Sequence, residues 1–179
     1  AVEECRRIPQ ERDQVLASVF VLYKGHWGHS IRTGALGRPS QIQEQVFEAV
    51  LEVSEKSLQL MQPGKDLNEV PLHAEMIIRE RFPEIKSMDI YKLKTGHSLG
   101  LDYSDPILSD VFPPPSVSLL DQPNQAEKSK VILKPGMLFE IHPNLFLPSK
   151  AVGAIGDMVL ITDNGNEVLT KYTRELIRW

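Results

Sequence analysis

The feature that most limits what this chain can fold into is a hairpin near its start. "VLASVFVLY" (residues 15–23) is followed by Lys24-Gly25 and a second run, "HWGHSIRT", over 26–33. The first run is rich in β-branched and aromatic residues and reads as a buried strand. Lys-Gly is a turn signal that returns the second run beside the first, and Gly34, Gly37 and Pro39 then mark a loop. Two helices are expected next. Ser40 and Gln43 have the spacing of a capping box. Behind them Ile42, Val46, Ala49, Val50 and Val53 recur at helical spacing to about Met61, where "QPG" (62–64) stops the run. A second helix is expected over Leu67–Phe82. Pro71 must sit in its first turn or delay its start, because proline lacks the N–H that a helix interior requires.

From residue 87 the sequence turns strand-like again, in "MDIYKLK", "SLGLDY", "MLFEIHPNLF", "AVGAIGDMVLIT" and "EVLTKY", with Asn164-Gly165 as a tight hairpin turn. Strands, then helices, then strands describe an α+β fold with the helices packed on one face of a sheet. Residues 1–14 form a polar N-terminal segment and 15–179 one domain, interrupted over 109–130 by a proline-rich polar stretch expected to be a flexible insertion.

Composition narrows the function classes. With 20 basic against 24 acidic residues and a net charge of −4, the chain lacks the basic excess of a non-specific nucleic-acid binder. Cys5 is the sole cysteine, so no internal disulfide can form. No apolar run approaches the roughly 20 residues of a membrane span, and the polar first residues do not resemble a signal peptide. A cytoplasmic protein with no membrane partner is expected. The chain opens on Ala1, and is expected to be a processed product, an expressed fragment or one subunit of something larger.

Four stretches carry a family resemblance. "YKGHWGHSIRT" (23–33) resembles the YxGYxSDITRT hairpin of the pita-bread superfamily, which includes methionine aminopeptidase, aminopeptidase P, prolidase and creatinase. "TGHSLGLDYSDP" (95–106) is similar to its GHGIG-like stretch, "LKPGMLFEIHP" (133–143) to PGMVFTIEPG, and "GDMVLITDNGNEVLT" (156–170) to EDMVLVTEDGxExLT. All four occur in the family's order, which is far more specific than any one of them. The resemblance implies a pita-bread-like curved antiparallel sheet with helices on one face. It also implies that the N-terminal part of the first half is missing. A sheet so uncovered exposes apolar surface, and the implied partner is the missing segment, a second chain or a second copy in a homo-oligomer.

The resemblance also implies a site. The family binds two metal ions through two Asp, one His and two Glu. Of these positions the His is retained as His97, while Ser18 and His29 stand at the two Asp positions, and His142 and Gly156 at the two Glu positions. A further family His is replaced by Ser104. None of the five ligand positions keeps a carboxylate. Two nearby cations need bridging carboxylates to offset their repulsion, and Ser18 and Gly156 supply none. Standard dinuclear peptidase chemistry is therefore not expected. The positions of His29, His97 and His142 all face the same ion in the family, and three imidazoles around one ion make a recognised centre.

Two readings stand side by side. In one, a divalent transition metal, Zn or Fe, sits on His29, His97 and His142 for hydrolytic or oxygen chemistry on a small-molecule or peptide ligand. In the other, the domain is metal-free and is a non-catalytic protein- or peptide-binding module built on a degenerate peptidase fold. Arg32 is a candidate substrate-binding residue, with a structural ion pair as the plainer alternative. Asp157 is expected to orient backbone or a neighbour, or to support the metal ligands, His26 to point away from His29, and His73 to be a surface or half-buried residue of the second helix. Ser18 has no base evident in the sequence.

Overall fold

A computed structural model of the chain describes residues 8–87, 92–101 and 130–179. The expected insertion over 109–130 therefore falls almost wholly outside the described residues, as do Ser104 and residues 1–7 of the polar N-terminal segment.

The hairpin forms as β1 (Gln14–Tyr23) and β2 (His26–Ala35), paired antiparallel with Phe20 opposite His29 and Ser18 opposite Ile31. Lys24 and Gly25 both take positive φ at the turn. Helix α1 (Gln41–Leu60) begins at the capping box, where the Ser40 N–H donates to Gln43 Oε1 at 2.7 Å. Helix α2 (Glu69–Arg81) carries Pro71 in its first turn and runs into a 3-10 turn over Pro83–Ser87. The remaining strands are β3 (Lys92–Ser98), β4 (Leu138–Leu147), β5 (Ala151–Ala154), β6 (Asp157–Thr162), β7 (Gly165–Val168) and β8 (Ile177–Arg178).

Two sheets result, β1-β2-β8 and β3-β4-β6-β7, with β5 paired to β4. All pairings are antiparallel except the short β2–β8 contact. The sheets are stitched together where Ile31 and Gly156 exchange backbone hydrogen bonds at 3.2 and 2.8 Å, and where the Thr33 hydroxyl donates to the Ala154 carbonyl at 2.8 Å. That seam brings the first hairpin over the later strands.

The helices cover one face. Val46, Val50 and Val53 of α1 and Ala74 and Ile78 of α2 pack with Leu93, Leu145, Leu147 and Ile155 in one apolar cluster. Each fully buried aliphatic chain contributes about 1.5–3 kcal/mol. Gly153 allows the close approach, since a Cβ there would lie 3.1 Å from Val46 Cγ1.

One strand departs from expectation. β1 is not buried: from Leu16 onward its large apolar side chains are exposed, from 42% at Leu16 to 68% at Tyr23. Its composition matches a covered strand, but β1 is the edge of its sheet, and nothing among the described residues packs over it. Among the described residues no helix is long and apolar enough to cross a membrane.

Candidate functional site

Four buried side chains converge beneath the seam between the sheets. His29 comes from β2, His97 from β3, and Glu140 and His142 from β4, with exposures of 5%, 0%, 0% and 2%. A register shift between Lys94 and Gly96 sets His97 directly opposite Glu140. The two-residue period of β4 puts Glu140 and His142 on one face. The ring centroids of His29, His97 and His142 lie 6.2, 6.0 and 4.9 Å apart in the pairs 29–97, 29–142 and 97–142.

Glu140 is the residue that the sequence reading missed. No ligand position keeps a carboxylate, yet one reaches the cluster from two residues before His142. The signal was present, because residues i and i+2 of a strand share a face. Glu140 Oε2 meets His29 Nδ1 and lies 3.0 Å from His97 Nε2. Its other oxygen, Oε1, has no hydrogen-bond partner among the described residues and lies against Gly156. His29, His97 and Glu140 each offer a ligand atom, all within 4.8 Å of one another.

The tautomer of His97 follows from its neighbours. Its Nδ1 lies 2.8 Å from the Ser98 carbonyl, which can only accept, so Nδ1 carries the proton. Its Nε2 faces the Glu140 carboxylate. That 3.0 Å approach is satisfied by a proton on Nε2 or by a cation held between the two groups. His142 points the same way: neither of its ring nitrogens has a hydrogen-bond partner among the described residues, although the side chain is buried.

Burial pushes the His142 pKa down to about 4, against a smaller opposing pull from Glu140. The ring is therefore neutral near pH 7, the form in which imidazole binds metal. Burial alone would raise the Glu140 pKa. Hydrogen bonds from His29 and His97, with the fields of His142 and His29, outweigh that and hold it below the usual carboxylate value. Among the described residues His29, His97 and Glu140 thus offer a donor set that fits one divalent ion, with His142 beside it.

Ser18 has a base after all. Its hydroxyl lies 2.6 Å from His29 Nε2, a contact between the two positions that the resemblance aligns with Asp. Arg32, read as a candidate for holding substrate, is committed internally. Its guanidinium donates to Asp157 Oδ1 at 2.7 Å and to the carbonyls of Ile31, Gly156, Tyr172 and Thr173. These contacts give it the ion-pair role, because a fully engaged guanidinium has no fork to offer a ligand. Asp157 also accepts from Arg174 Nε at 2.5 Å, so it orients its neighbours as expected. His26 is exposed and contacts the Lys24 carbonyl, and half-buried His73 donates to the Glu69 carbonyl. An apolar hollow lined by Val21, Trp27, Leu138 and Met158 reaches His29, whereas a larger one between α1 and residues 170–178 touches none of the cluster.

With this geometry in place, comparison with known proteins is decisive. The family model described as metallopeptidase family M24 matches residues 3–163. The chain belongs to metallopeptidase family M24. It is 28% identical to the Xaa-Pro dipeptidase of Pyrococcus furiosus over 165 residues, covering 92% of this chain and 42% of that protein. The structure superimposes on prolidase from Thermococcus sibiricus with a TM-score of 0.78 at 28% identity, over 100% of this chain and 43% of that one. Aminopeptidase P from Escherichia coli gives a TM-score of 0.69 at 26% identity, over 90% of this chain and 39% of that one. The α+β pita-bread fold is therefore the M24 fold, and the chain spans about two-fifths of the length of these relatives.

Proposed function

We propose that this M24 chain carries a single-metal, hydrolase-type centre in place of the family's dinuclear one. The ion, a divalent transition metal such as zinc or iron, would be held by His29, His97 and Glu140, with His142 beside it. The observation that carries this reading is the donor set: three imidazoles and one carboxylate buried together, with both nitrogens of His142 unpartnered among the described residues. Zinc or iron bound there would act as a Lewis acid and lower the pKa of bound water.

The chain's own groups do the rest. The Ser98 carbonyl holds the His97 ring with Nε2 facing the cluster. Glu140 supplies one negative charge against the ion's two, leaving the centre cationic and suited to a carboxylate or polarised carbonyl. The apolar hollow beside His29 would take an apolar side chain of a peptide or small molecule. Xaa-Pro dipeptides, named for the relatives, are the first substrates to try. The exposed face of β1 supports a covering partner: the absent segment, a second chain or a second copy. A cytoplasmic location is part of the same proposal.

Elemental analysis tests it, on untagged protein produced with mixed metals beside His97→Ala and Glu140→Gln. The expected result is about one ion per chain in the parent and little in either variant, with chelation lowering the parent's Tm. Two ions per chain, or none with a Tm indifferent to chelator, would overturn the reading. The second outcome would favour a metal-free binding module.

A further inference from the structure

Ser18 touches the cluster without belonging to it. Its Oγ lies 2.6 Å from His29 Nε2, while His29 Nδ1, on the other side of the ring, meets Glu140 Oε2. Glu140 Oε2 is also 3.0 Å from His97 Nε2, so the atoms that converge are His29 Nδ1, His97 Nε2 and this one carboxylate oxygen. The His29 imidazole therefore turns one nitrogen to the cluster and the other to a hydroxyl on β1. We propose that Ser18 is a positioning residue for the metal centre: its hydroxyl accepts a hydrogen bond from His29 Nε2–H and so holds the Nδ1 lone pair toward the ion. This role rests on the single-metal reading above and adds to it a residue that supplies no ligand atom.

The chemistry of the ring calls for such a partner. A neutral imidazole carries one N–H and one lone pair, and the nitrogen that binds an ion is the one without the proton. With Nδ1 of His29 facing the ion, the proton stays on Nε2. The His29 side chain is buried, and a buried N–H needs an acceptor. Ser18 Oγ is within reach to be one. His97 shows the same arrangement with the nitrogens exchanged: its Nδ1 lies 2.8 Å from the Ser98 carbonyl and its Nε2 faces Glu140. Both rings are thus held by a polar group outside the cluster, the kind of support that ligating imidazoles ordinarily have.

The hairpin register explains why Ser18 can do this. Phe20 stands directly opposite His29, and Ser18, two residues earlier, lies diagonal to it on the same face. Phe20 stacks on the ring, with centroids 3.8 Å apart and planes 15° from parallel. Stacking fixes the plane of the ring but not its direction. A half-turn about the Cβ–Cγ bond would keep the stack and put carbon atoms where the two nitrogens now lie. The hydrogen bond to Ser18 is lost in the flipped ring, so it selects the orientation with Nδ1 at the cluster. The role transfers no proton, and nothing in it requires β1 to be open to solvent.

The experiment measures metal affinity on the full chain. Ser18→Thr keeps the hydroxyl, and Ser18→Val has nearly the same shape as that variant without it. Zinc affinity is measured by competition with a chromogenic chelator, and cobalt(II) is loaded in parallel to read the visible spectrum of the centre. The expected result is zinc binding about tenfold or more weaker in Ser18→Val, with a shifted cobalt spectrum, and parent-like affinity and spectrum in Ser18→Thr. Thermal melts show that each variant is folded, and Ser18→Ala stands in for Ser18→Val if that chain is not. Equal affinity in the parent and in folded Ser18→Val overturns the role of Ser18 and leaves the single-metal reading in place. So does an equal loss in Ser18→Thr, which would trace to packing and not to the hydroxyl. A parent that binds neither zinc nor cobalt overturns the single-metal reading itself, and the role of Ser18 falls with it.

Discussion

Glu140 Oε1 occupies the space that a side chain on Gly156 would need: a Cβ built on Gly156 would lie 2.7 Å from it. The family resemblance aligns Gly156 with a metal-binding Glu and Glu140 with the Thr of PGMVFTIEPG. The cluster's carboxylate thus enters from β4, and a side chain at 156 would have to displace its Oε1.

Gly156→Ala should therefore cost about 1–3 kcal/mol, because its Cβ would also meet the Ile31 backbone nitrogen at 2.8 Å, where a neighbouring strand must give way. Adding Glu140→Thr should recover only the part due to the carboxylate. A double-mutant cycle by urea denaturation should show a coupling of roughly 1 kcal/mol. Strict additivity would mean that Glu140 does not press on Gly156.

The buried pair of Arg32 and Asp157 makes a second prediction. Arg32→Met leaves Asp157, itself 1% exposed, with Arg174 as its remaining ion-pair partner among the described residues, and should cost roughly 3 kcal/mol. Arg174 is 29% exposed on the same carboxylate, and Arg174→Met should cost about 1 kcal/mol or less. Equal losses in the two variants would contradict the ion-pair role assigned to Arg32.

Much of the architecture was legible from local signals. Ser40 and Gln43 marked the start of α1, "QPG" its end, and Lys24-Gly25 the turn of the hairpin. The family motifs named the neighbourhood of His29, His97 and His142, because each lies inside a quoted stretch. The sequence did not show what depends on strands meeting far apart in the chain. Glu140 looked like one more polar residue in a strand until β2 and β3 were folded against β4. Ser18 looked isolated because its partner His29 lies across the hairpin, diagonally on the same face. β1 misled for another reason: its composition reports a covered strand, while the described residues supply no cover.

That exposure predicts a contrast in tolerance. Val21 is 53% exposed on β1, so Val21→Thr should change the stability of the isolated chain by no more than about 0.5 kcal/mol. Val50, fully buried between α1 and the sheet, should cost roughly 2 kcal/mol on truncation to Ala. Thermal melts over a hundredfold range of protein concentration check both. A large loss at Val21, growing with concentration, would show that a second copy covers β1 in solution.

Acid should destabilise the metal-free chain, and the sign follows from the two shifted groups. His142 has its folded pKa pushed down to about 4 from 6.5, so the unfolded chain binds that proton first. Stability is full above pH 6.5 and is lost as pH falls toward 4, by roughly 3 kcal/mol at most. Glu140 is held below its usual 4.5, so its contribution is present above that value and fades as pH falls further. Both effects run the same way, with His142 acting first. Urea melts of chelated protein at pH 7, 5.5 and 4.5 should show a falling midpoint, and His142→Gln should flatten the decline between pH 6.5 and 4.5. A parent whose midpoint holds constant over that range would mean that protonated His142 is accommodated in the folded cluster, and that its ring is not confined to the neutral form.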